Sequence, residues 1–133
     1  MPLPEPSAHV DEVAYRVIGA AIAVHRQLGA GLPESAYQSA LQHELQLQGI
    51  AVKRHVPILV EYKGHVVGEH LLSFLVEEQL IVEVKAIEQL GDLHRSTVVS
   101  YLQAARLELG LLINFNVALL KDGIRRVVRC KPN

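Results

Sequence analysis

Glu83 and Lys85 are the residues of this chain best placed to do chemistry. They lie in LLSFLVEEQLIVEVKA, residues 71–86, where two apolar runs are joined by a short acidic turn. The alternation predicts a β-hairpin. In an extended strand Ile81, Glu83 and Lys85 project to one face and Val82 and Val84 to the other, so a carboxylate and an ammonium stand side by side on an otherwise apolar element. Two chemistries fit. One is an ion pair at a sheet edge or strand end, which contributes little. The other is a metal-assisted site in which the carboxylate holds a hard cation and the lysine polarises water or steadies charge on a phosphate.

Other polar residues narrow the field. The seven histidines form no i,i+4 pair and no HExxH motif, so most read as surface or helix-face residues. His94 is the exception, because it opens a helix close to the hairpin, where it suits a cap or a phosphate contact. Asn114 and Asn116 share a face of LINFN and need partners if buried; a neighbouring loop or a ligand would supply them. No GxxxxGKS/T or GxGxxG occurs, so ATP and dinucleotides are not implied. Cys130 is the only cysteine, which excludes an internal disulfide and a cysteine-rich zinc site.

Thirteen Lys+Arg against 14 Asp+Glu leave a net charge of -1, so no global basic field draws in nucleic acid. Phosphate contacts must be local, with Lys53-Arg54 and Arg125, Arg126, Arg129 and Lys131 as candidates, although short basic clusters are more often solvated. Aromatic residues are scarce, with no Trp, which argues against a base-stacking platform. The start, MPLPEPSAHVDE, has no basic and apolar secretion signal. No apolar run reaches a membrane span. A reducing cytoplasm is the expected setting.

The elements that must position these residues follow from periodicity. Residues 1–8 form a proline-rich lead-in. A helix is expected over about 9–28, ended by Gly29-Ala30-Gly31, and a second over about 33–48, stopped by Gly49. Strands follow over 52–62, with Pro57 marking an edge or bulge, and over 65–67 before a bend at Gly68. The central hairpin comes next. A third helix over about 93–109, ended by Gly110, leads to strands at 111–115 and 124–128. The order ααββββαββ predicts a single α/β domain over residues 9–129 with a tail at 130–133, built as a mixed sheet flanked by helices.

Several stretches together resemble the GxxExxY proteins of the PD-(D/E)XK nuclease-like superfamily. The naming motif is Gly31-Leu32-Pro33-Glu34-Ser35-Ala36-Tyr37, preceded by RVIGAAIAVHRQLGAG and followed by VEYKG, LIVEVKA and LGLLINFNVALLKDGIRRVV. The resemblance covers about residues 10–129 and implies a restriction-endonuclease-like α/β sandwich. It assigns Glu34 as the acid from an early helix, and Glu83 and Lys85 as the signature E and K. Active members add an aspartate on the preceding strand and bind Mg2+ to hydrolyse phosphodiester bonds. Glu34 also has a plainer role, since an acid in a helix's first turn offsets the macrodipole.

Two positions depart from that pattern. Ser73 stands where the aspartate is expected, with Leu71 at the arginine position, and Thr97 replaces a glutamine four residues before Tyr101. Glu69 and Glu77 lie four residues from Ser73, about 13 Å along a strand, too far to substitute. The expected metal ligands reduce to Glu34 and Glu83, with Lys85 free to neutralise them. The sequence therefore predicts a nuclease-like domain with a degenerate site formed by Glu34, Ser73, Glu83 and Lys85. Nucleic-acid contacts are expected at Lys53, Arg54, His94, Arg125 and Arg126. An active Mg2+-dependent nuclease acting on DNA or RNA is one alternative. A protein-protein module that self-associates through Leu71, Leu72 and Phe74 is another.

Overall fold

The computed structural model of the chain describes residues 6–129. The expected tail at 130–133, with Cys130 and Lys131, and most of the lead-in lie outside the described residues. α1 (Ala8–Leu28) opens at Ser7, whose Oγ accepts from the Val10 amide, a helix N-cap. Val10, Val13, Ala14, Val17, Ala20, Ala21 and Val24 form its buried stripe. α2 (Glu34–Leu47) packs beside it and buries Tyr37, Leu41 and Leu45.

The loop between them is held by one side chain. Tyr37 donates its hydroxyl to the Gly29 carbonyl at 2.6 Å and accepts from the Leu32 amide at 3.1 Å, while its ring stacks on Phe115 at 4.6 Å. Gly31 has φ +99, a conformation that favours glycine. The Gly and Tyr of the GxxExxY motif thus set where α2 begins, and so where Glu34 stands.

Five strands form one sheet in the order β1-β2-β3-β4-β5. They are β1 (Val52–Tyr62), β2 (His65–Val76), β3 (Leu80–Lys85), β4 (Leu109–Asn114) and β5 (Ile124–Val128). The β3–β4 pair is parallel and the other neighbours are antiparallel. α3 (Asp92–Ala105) makes the connection between β3 and β4. α1 and α2 cover one face over a core that includes Phe74, Val82, Val84, Leu111 and Phe115. α3 covers the other over Leu72, Ile81, Val98, Leu102, Leu112 and Val127. This is the expected sandwich.

Three details correct the expected order. Gly68 does not break a strand, so β2 is continuous and the order is ααβββαββ; the irregularity falls at a bulge between Val60 and Glu61 on the opposite strand. α3 ends at Arg106, in the left-handed region at φ +57. Gly110, expected as its terminator, lies within β4, where an added Cβ would sit 2.9 Å from Val98 Cγ1; the glycine lets α3 lie close to the sheet. Third, Leu72 and Phe74 are fully buried in the two separate cores and are closed to self-association. Leu71 alone of the three is exposed, at 51%. Among the described residues no helix is long and apolar enough to cross a membrane.

Candidate functional site

The site forms where β2 parts from β3. Residues two apart on a strand normally share a face, yet Leu72 faces α3 while Phe74 and Val76 face α1 and α2. The strand turns over at Ser73, opposite His55, which takes φ +57. β2 pairs with β3 only from Phe74 to Val76. Past that point side chains replace the ladder: the Ser73 amide donates to Glu83 Oε1 at 3.0 Å, and Ser73 Oγ accepts from the Val84 amide at 3.2 Å. The register already sets Ser73 opposite Glu83, and the break in pairing leaves the Ser73 amide to the Glu83 carboxylate.

Glu83 is 4% exposed. Burial is the largest influence on its carboxyl and raises its pKa above the ordinary value; the Ser73 amide and the charges of His70 and Lys85 act against that rise without cancelling it. Its closest basic group is His70, whose Nε2 is 3.5 Å from Glu83 Oε1. The His70 ring stacks on Tyr101 at 4.2 Å, with 12° between planes, and its Nε2 is buried without a hydrogen-bond partner. Burial and the Glu83 charge push the Tyr101 phenol up.

Lys85 lines the same pocket of about 130 Å³ as Glu83, His70, His94, Thr97 and Tyr101. Among the described residues it makes no ion pair with Glu83 or Glu34 within 4.0 Å, which corrects the expectation that it would pair with them. His94 caps α3, its amide donating to the Gly91 carbonyl at 3.1 Å and its Nδ1 accepting from the Gly91 amide at 2.9 Å. Thr97 Oγ1 donates to the Leu93 carbonyl at 2.8 Å, so its hydroxyl is engaged within the helix.

Glu34 is exposed in the first turn of α2. Among the described residues it reaches the site through Gln38, whose Nε2 lies 3.4 Å from both Glu34 Oε2 and Ser73 Oγ. The basic residues are dispersed over the two edges of the sheet. On β1, Lys53 pairs with Glu78, and Arg54 spans Gln38, Ser39 and Gln42 of α2. On β5, Arg126 pairs with Asp11, and Arg125 binds the Asp122 and Ile124 carbonyls. Of the expected nucleic-acid contacts only His94 lies in the Glu83 pocket. Asn114 and Asn116 hold the loop at Ile87, Asn114 through both the amide and the carbonyl of that residue. His70 and Gln38 were not legible as site residues. Their roles arise from the turn-over of β2 and from a helix crossing above it, neither of which has a local signature.

The family model described as the PD-(D/E)XK nuclease superfamily matches residues 11–127. The chain belongs to that superfamily. No curated protein and no solved structure matches it. Superfamily members typically use Mg2+, which prefers octahedral oxygen coordination with one or two carboxylates. The residues present do not fit that ion: one buried carboxylate, Glu83, stands without a second acid beside it among the described residues, and Glu34 lies beyond the intervening Gln38 amide. Among the described residues no group of three or more His, Cys, Asp or Glu side chains is arranged to hold a metal.

Proposed function

We propose that this domain keeps the nuclease scaffold while its metal-dependent phosphodiesterase activity is lost or strongly reduced. The observation that carries the reading is the use of Glu83 Oε1. Its partners are a backbone amide and an imidazole, and a serine stands where a second carboxylate would share a cation. A single carboxylate has little hold on an ion that sheds water reluctantly, and without the ion nothing offsets charge developing on phosphate. Lys85 remains in the pocket without an ion-pair partner among the described residues and is able to contact a phosphate, which keeps nucleic-acid association open to the same site.

The test is cleavage of DNA and RNA during titration with Mg2+ and Mn2+. The expected result is no turnover above that of the Glu83→Ala variant. Turnover in the unmodified protein that disappears in the variant overturns the reading and leaves an active nuclease with an altered ligand set. The β1–β2 hairpin favours a second reading as an interaction module. Its distal part exposes Leu59, Val60, Tyr62, Val66, Val67 and Leu71, an apolar surface suited to a partner or a second copy. Sizing the protein in solution and repeating the measurement with Leu59→Ser and Leu71→Ser tests self-association.

A further inference from the structure

His70 is the residue neither the expected catalytic set nor the core accounts for. It approaches Glu83 from the stretch of β2 that precedes Phe74, where β2 has no β3 partner among the described residues. Its ring is fixed by the stack on Tyr101, and Nε2 stands 3.5 Å from Glu83 Oε1 with no hydrogen-bond partner of its own. A Mg2+ ion bound to that oxygen would lie about 2.0–2.1 Å from it and keep several waters. An imidazole nitrogen at 3.5 Å occupies the room those waters require. Of the other groups around Glu83, the Ser73 amide is a backbone hydrogen bond to the same oxygen at 3.0 Å, and Lys85 is more than 4.0 Å away among the described residues, which leaves His70 as the side chain pressed against that oxygen.

We propose that His70 is a built-in plug, carried by the β1–β2 hairpin, that closes the cation position at Glu83. The proposal rests on the degenerate-site reading above and deepens it. The site is short of an acid and is also filled from within, so restoring the acid alone does not restore the cation. The ligand class excluded is a hard, oxygen-seeking cation.

The test uses the full chain and Tb3+ alone as the probe, read by luminescence sensitised through Tyr101. Ser73→Asp by itself is expected to bind Tb3+ within about twofold of the unmodified protein. Ser73→Asp with His70→Ala is expected to bind at least tenfold more tightly, about 1.4 kcal/mol, and to lose that gain when Glu83→Gln is added. Tightened binding that is equal in the single and double variants overturns the plug, because the imidazole then excludes nothing. Binding by both variants that stays at the level of the unmodified protein, with the fold intact by circular dichroism, overturns the cation position itself. His70→Asn replaces His70→Ala if the alanine protein unfolds. In the unmodified protein the His70 Nε2 resonance is expected to move when Glu83→Gln is introduced, and an unmoved resonance overturns the contact. None of these readouts involves cleavage, so Mg2+-dependent turnover would refute the proposed function without deciding the plug.

Discussion

Glu83→Gln is expected to stabilise the protein at neutral pH. The carboxylate is 4% exposed, and burial holds its pKa above 4.5. A raised carboxyl pKa means that folding favours the protonated form. This contribution is fully present below the unfolded-state value and is lost as pH rises through the folded-state value, so at pH 7 the acid side chain works against the fold. The groups facing it are His70 on β2, Lys85 on β3, and Tyr101 and His94 on α3. Desolvating a carboxylate costs several kcal/mol. One charge-assisted bond from the Ser73 amide offsets about 1.5–3 kcal/mol of that, and His70 offsets part of the remainder. A glutamine keeps an oxygen for the Ser73 amide and places its NH₂ toward the imidazole. The expected net gain is about 1 kcal/mol, or roughly 3–5 °C in Tm for a domain of this size. Thermal unfolding of both proteins from pH 4 to 8 measures it, with the difference largest at neutral pH and shrinking toward pH 4. A loss of stability in the variant at pH 7, or a difference independent of pH, would refute the argument by making the charge necessary to the fold.

Tyr37→Phe keeps the stack on Phe115 and removes both hydroxyl bonds of the 29–32 loop; a loss of about 1–2 kcal/mol is expected, with faster hydrogen exchange at the Leu32 amide. Gly110→Ala should cost about 1–3 kcal/mol by forcing α3 off the sheet, measured by urea unfolding, and Val98→Ala in the same chain should recover part of it by removing the methyl at 2.9 Å. Asn114→Ala strips the bonds to Ile87 and the Asn116 amide. It is expected to cost about 2–4 kcal/mol and to raise proteolysis in the loop that follows β3.

The helices and the inner strands were legible because their patterns are local. The buried stripe of α1 recurs at helical spacing, and LIVEVK and LLINF are largely apolar runs of strand length. Glu83 and Lys85 were legible as a pair because strand parity depends only on counting. What sequence could not convey depends on departures from parity. The turn-over at Ser73 swings His70 to the α3 face, and no residue type announces it, since His55 takes a left-handed conformation in the middle of a run rich in β-branched residues. Gly68 and Gly110 misled for one reason: each reads as an interruption along the chain, whereas Gly68 sits within a continuous β2 and Gly110 serves close packing between layers. That His70 rather than Lys85 approaches Glu83 was likewise beyond reach, because the histidine comes from a strand whose register changes just before the site.

The hydroxyl of Tyr37 ties a recognition signature to folding. Its two bonds fix the bend before α2 whether or not a cation ever reaches Glu83, so a chain can abandon catalysis and still require this tyrosine to assemble. In this chain the tyrosine therefore answers an architectural need that is independent of any chemistry at Glu83.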